Sequence, residues 1–156
     1  MTDPDAWKKN ISDMVGQKNQ RKVDAVLREQ ARQDHVTLEQ QKARAILQDQ
    51  PQEGFKEFAA YLQSQGDAAE VRYGWDDAKD PWIAVAVSDK TGLIMDVRLE
   101  ARFGPRETTW FWVYEHWGNQ RTSLEREIPS SDAAPSKQYV LETLVEHYHQ
   151  ASENRR

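Results

Sequence analysis

The sequence predicts an α+β protein: an antiparallel sheet of about four strands packed against a C-terminal helix, with an N-terminal helical region. Three observations carry this. Leu93, Met95, Val97 and Leu99 alternate with Ile94, Asp96, Arg98 and Glu100, the two-residue period of a strand with one face in the core. Val140, Leu141, Leu144, Val145 and Tyr148 form an apolar stripe at helical spacing near the end of the chain. The first fifty residues place modest apolar groups three or four apart among many charges.

The front is expected as several short helices. Asp3 and Pro4 suit a helix start, and Trp7, Ile11, Met14 and Val15 follow at helical spacing until Gly16 weakens the pattern. Val23, Val26, Leu27 and Ala31 make a second stretch, with an interruption expected at Asp34, His35 and Val36. Thr37 and Gln40 form a capping-box pattern ahead of a third, which continues to Ile46. Asp49 and Pro51 start a stronger helix carrying Phe55, Phe58, Ala59 and Leu62, and Gly66 stops it. Thin helices need a partner surface. The expected division is therefore a helical arm or subdomain at 1–48 and an α+β domain at 49–156.

Strands follow. Ala69–Tyr73 is a short candidate ended by Gly74. Pro81 precedes Trp82–Val87, and Ser88–Gly92 is a hairpin connection. Gly104 and Pro105 turn the chain before Thr108–Trp117, and Pro135 or Ser136 begins the last helix.

Composition narrows the class. The chain has 156 residues, 30% of them charged, no cysteine and a formal charge of -5. Disulfides, thiol nucleophiles and thiolate metal sites are absent with the cysteine. The charged opening does not resemble a secretory signal, and no run approaches the ~18 apolar residues of a membrane span. A cytoplasmic location and no membrane partner are the expectations. Acidity is concentrated in residues 51–100, which hold ten acidic and five basic side chains.

Aromatic residues gather at the other end. Five of the six tryptophans lie beyond residue 70, three of them between Trp110 and Trp117. On that strand Trp110, Trp112, Tyr114 and His116 point one way, and Phe111, Val113, Glu115 and Trp117 the other. Both faces are mostly apolar, so each needs a cover. One face is expected to meet the C-terminal helix. The other is expected to meet the helices before residue 66, a second copy of the chain, or, as an exposed groove, a ligand or a partner protein.

Sites follow from these patterns. Trp82, Trp110, Trp112, Tyr114, His116 and Trp117 are the candidate interaction or pocket residues, since large aromatics combine contact area with few rotatable bonds. Pairing in sequence order sets Asp96, Arg98 and Glu100 beside this strand with the register left open: a carboxylate next to histidine supplies acid–base chemistry, and one balanced by an arginine is a surface pair. Lys18, Arg21, Lys22 and Arg28 are the candidate nucleic-acid contacts.

Other motifs are weak. His147 and His149 are two apart, HExxH is absent, and Glu142 with Glu146 lacks a third ligand. Asp76, Asp77, Asp80 and Asp89 lack calcium-loop spacing and read as a solvated acidic loop. The glycines are scattered and form no phosphate loop. No catalytic residue, metal or cofactor is assigned.

The leading expectation is a non-enzymatic protein–protein interaction or assembly module, whose partner is another protein or a second copy. The alternatives are a small-molecule or hydrolytic pocket lined by the aromatic strand, and nucleic-acid binding through the front helices. The pocket reading places Asp96, Glu115 or His116 at the rim of a cavity containing Trp110 or Trp112.

Overall fold

A computed structural model describes residues 4–75, 80–103, 107–118, 121–129 and 135–154. The elements are α1 (Ala6–Gln48), α2 (Gln50–Ser64), β1 (Ala68–Gly74), β2 (Trp82–Asp89), β3 (Gly92–Phe103), β4 (Thr108–His116), β5 (Thr122–Glu127) and α3 (Lys137–Glu153). The strands form one antiparallel meander in the order β1-β2-β3-β4-β5. The α+β class is as expected, with five strands instead of about four.

The expected short helices at the front are one continuous helix. Between Ala6 and Gln48 there is no proline, so every backbone N–H past the first turn remains a donor. Gly16 costs about 1 kcal/mol relative to alanine, which weakens a helix without ending it. Asp34 does not interrupt either, because Gln30 Nε2 donates to its carboxylate at 3.0 Å, one turn back. Gln20 with Asp24 and Arg32 with Glu29 make the same kind of local bond. The break comes at Asp49, and Pro51 sits in the first turn of α2, where no donor is needed.

Two compact units divide the chain, one ending at Leu38 and the other beginning at Glu39. The second starts ten residues before the boundary that composition suggested. Ala43 and Leu47, in the last turns of α1, are buried in its core.

That core lies between one sheet face and the two helices α2 and α3. Phe55, Phe58 and Leu62 of α2 and Val140 and Leu144 of α3 cover Ile83, Val85, Val87, Met95, Val97, Leu99 and Trp112. Gly66, with φ +98°, ends α2, and the Asp67 N–H donates to Leu62 O at 3.1 Å. On α3, Ser136 Oγ accepts the Tyr139 N–H at 3.1 Å. Its buried stripe is Val140, Leu144, His147 and Ala151, while Val145, expected inside, is 57% exposed. At either end, Lys137 pairs with Glu57 and Glu53 of α2, and Tyr148 donates to Asp67.

A bulge corrects the expected alternation in β3. Val87 pairs with Met95 but Ser88 pairs with Leu93, leaving Ile94 as an extra residue. Ile94 and Met95 are therefore both buried, and Leu93 is exposed. Gly74 ends β1 as expected, opposite Trp82, and a Cβ there would sit 2.0 Å from the indole nitrogen. The strand β5 was not foreseen, since Thr122–Glu127 carries one large apolar residue among charges. Such a sequence suits a sheet edge, where charge opposes pairing with other chains.

The expected turn at Gly104 and Pro105 lies outside the described residues, as do Asp76 and Asp77 of the acidic loop. No helix among the described residues is long and apolar enough to cross a membrane.

Candidate functional site

Register decides what the aromatic strand β4 can do. Met95 pairs with His116, Val97 with Tyr114, Leu99 with Trp112 and Ala101 with Trp110. These four residues of β4 therefore share the core face. Asp96, Arg98 and Glu100 share the opposite face with Glu115, Val113 and Phe111, their pairing partners. Asp96 and Glu100 therefore do not lie beside His116, since a two-residue period separates them across the sheet. Of the two arrangements left open, they form the arginine-balanced surface pairs, with Arg72 and Arg102. Glu115 is likewise divided from His116 and pairs with Arg121 at 2.9 Å.

On the core face each aromatic group is engaged. Trp112 is 2% exposed, its ring stacks on Phe55 at 6.2 Å, and its Nε1–H donates to the Tyr139 hydroxyl at 3.1 Å. Trp110 and Tyr114 are half-buried and pack against the same cluster. His116 is buried, and its Nε2 lies 3.1 Å from Nδ1 of the buried His147. The His147 ring lies 4.3 Å from that of Tyr114. Burial lowers the pKa of His116. Burial, then His116, then Arg126 lower that of His147 to about 4. The pairing of His116 with His147 was missed in the sequence. A usable signal existed: His147 stands at i+7 from Val140 on the buried stripe.

The outer face has a cover that sequence reasoning did not anticipate. Both α2 and α3 lie on the core side, so neither supplies it. Arginines of the sheet do. The Arg102 guanidinium lies 4.1 Å from the Phe111 ring centre, and Arg98 lies 3.9 Å from that of Trp82. Arg121 stands 5.4 Å from the Trp117 ring.

Two of the arginines cross a whole strand. Arg72 of β1 reaches Asp96 of β3 at 2.6 Å, over a β2 that presents Ala84 and Ala86 on this face. Arg102 of β3 passes over Phe111 to Glu125 of β5 at 2.8 Å, and also contacts Glu100 at 3.0 Å. The Arg102 bonds lower the pKa of Glu125. Exposed ion pairs contribute little alone, about 0–1 kcal/mol. A guanidinium on an exposed ring adds about 0.5–1 kcal/mol. Arg102→Ala is therefore expected to cost about 1–2 kcal/mol in urea unfolding, and Arg102→Lys to recover little, because ammonium lacks the planar fork. A loss too small to measure would show that the ring needs no cover.

Placement of the remaining candidates is simple. Trp82 and Trp117 are half-buried, and the Trp117 N–H donates to Ile94 O at 2.9 Å. Lys18, Arg21, Lys22 and Arg28 are all exposed on α1. At about 100° per residue they fall within an arc of roughly 120°, the arc that also holds Trp7, Ile11 and Met14. Asp5, Asp13, Asp24 and Asp34 lie outside it; Glu29 lies inside and is bonded to Arg32. Glu142 and Glu146 are exposed on α3, and His149 faces Glu153. Among the described residues, no group of three or more His, Asp or Glu side chains is placed to hold a metal ion.

Compared with known protein families, curated proteins and solved structures, the chain matches none.

Proposed function

We propose that this protein is a non-enzymatic assembly module whose docking element is α1 up to Leu38. One observation carries the reading. Trp7, Ile11, Met14, Val15, Val23, Val26, Leu27 and Leu38 are each 50–69% exposed on that helix. Fully burying one such side chain is worth about 1.5–3 kcal/mol. A helix whose stability comes mainly from packing an apolar face is marginal when that face is bare. The apolar groups form two patches, Trp7–Val15 and Val23–Leu27, centred about a third of a turn apart. Such an arrangement suits two contacting surfaces better than a single seam, and a second copy of the chain supplies both.

Self-association is expected to show as a solution mass above that of one 18.1 kDa chain and as helicity that rises with protein concentration. Ile11→Glu with Leu27→Glu, one change in each patch, is expected to give a monomer whose circular dichroism at 222 nm no longer depends on concentration. Light scattering and dilution-series spectra read both effects. A wild-type chain that is monomeric, with constant helicity, removes self-assembly and moves the proposal to a different protein partner.

A second reading rests on the clustering of Lys18, Arg21, Lys22 and Arg28 on one arc of α1. Phosphate binding needs such a stripe. Salt-dependent retention on duplex DNA or RNA, lost on charge reversal of Arg21, Lys22 and Arg28, supports it. Retention that ignores the substitution sinks it.

A further inference from the structure

The described side chains hold one buried titratable pair that joins a helix to the sheet. His116 ends β4 and His147 stands on the buried face of α3. Their rings meet at 5.2 Å and 72°, edge to face, with the Nε2 to Nδ1 distance of a hydrogen bond. One nitrogen of each facing pair must carry the proton and the other accept it, so the contact exists only while at least one imidazole is neutral.

The surroundings favour neutrality in both. Tyr114, on β4, packs on both rings, and Trp112 lies 6.4 Å from His147. From β5 the facing charge is Arg126, whose positive field opposes another cation. On β3 the residues opposite His116 and Tyr114 are Met95 and Val97, which do not titrate. From α2 the core side chains are Phe55, Phe58 and Leu62. On α3 the neighbours Glu146 and His149 are exposed, and Tyr148 is held by Asp67 at 2.7 Å. No carboxylate among the described residues is bonded to either imidazole.

We infer that the His116–His147 pair is an acid-operated latch, which holds α3 against β4 at neutral pH and releases it on protonation. The first added proton leaves the shared N–H in place and puts a cation beside Arg126. The second turns both facing nitrogens into donors and breaks the contact. Water solvates both charges once α3 lifts away. The inference is independent of the role proposed for α1.

The pH window follows from linkage. Both imidazoles are harder to protonate in the folded chain than an ordinary histidine, whose pKa is ~6.5. Below ~6.5 the unfolded chain therefore binds more protons, and stability falls as pH falls. For His147 the loss is complete near its folded value of about 4. It is fully regained above ~6.5. Across this window the unfolding equilibrium constant is expected to rise ~100-fold or more.

The test uses the full chain. Imidazole NMR titration is expected to place His116 below the ordinary histidine value and His147 near 4. Amide hydrogen exchange at stepwise lower pH, corrected for intrinsic rates, is expected to show α3 losing protection at Leu144, His147 and Ala151 before α2 loses it at Phe55 and Phe58. His147→Gln removes the His147 titration and leaves that of His116, and in that variant the acid loss of stability is expected to shrink at least tenfold. Should that variant fail to fold, the wild-type titration and exchange decide alone. His116 and His147 titrating at the ordinary histidine value, or α2 and α3 opening together, would overturn the latch, as would an undiminished acid loss in a folded His147→Gln chain.

Discussion

Trp112→Ala is expected to destabilise the domain by about 3–5 kcal/mol, much of the 5–15 kcal/mol typical of a whole domain. Three effects add. The indole is 2% exposed, so its removal gives up one of the largest buried areas in the core. It spans the layer between Leu99 on the neighbouring strand and Phe55 on α2, and no smaller side chain fills that space. Tyr139 also loses the donor to its hydroxyl, a minor cost because Tyr139 is only half-buried and water replaces the bond. Urea unfolding measures the sum. Trp112→Phe keeps the stack on Phe55 and is expected to lose less than half as much. Phe111→Ala is the informative control: it lies one residue away, on the outer face, under a guanidinium instead of a helix. Equal losses at Phe111 and Trp112 would contradict the assignment of the core to one side of β4.

Leu47→Ala is expected to cost about 3 kcal/mol, although Leu47 belongs to a helix whose earlier apolar groups are exposed. Its side chain is fully buried in the cluster that holds Phe55, Val97 and Leu144, and deleting a buried leucine leaves a cavity that the core closes incompletely. The same argument predicts the outcome of truncation. A chain beginning at Glu39 keeps Ala43, Leu47 and the bond from Thr108 Oγ1 to Glu39 at 3.1 Å. It is expected to unfold near the full-length midpoint. A chain beginning at Asp49 loses Leu47 and is expected to unfold at markedly lower urea. Equal midpoints for the two truncations would show that the last turns of α1 are dispensable to the core.

The elements that sequence made legible are those whose side chains carry a full apolar face. Phe55, Phe58 and Leu62 marked α2, and Val140 and Leu144 marked α3. The period of two at Ile83–Val87 and Val97–Leu99 marked the central strands. Elements without such a face were harder to read. α1 looked broken because its apolar residues do not keep to one stripe, yet backbone hydrogen bonding continues wherever no proline removes a donor. β5 looked like loop because it is an edge strand, paired through its backbone, with mostly charged side chains.

For the candidate site, sequence established that β4 has two apolar faces and that each face must be covered. The identity of each cover depended on pairing, which composition and period do not contain. Register put Asp96 and Glu115 on one side of the sheet and His116 on the other. A bulge of one residue sent Ile94 inward. Chain geometry alone brought Arg102 across Phe111 and set His147 of α3 beside His116. Local sequence determines which residues share a face, because the backbone period is local. Which faces meet is decided by contacts between residues distant in the chain, and only the folded chain holds those.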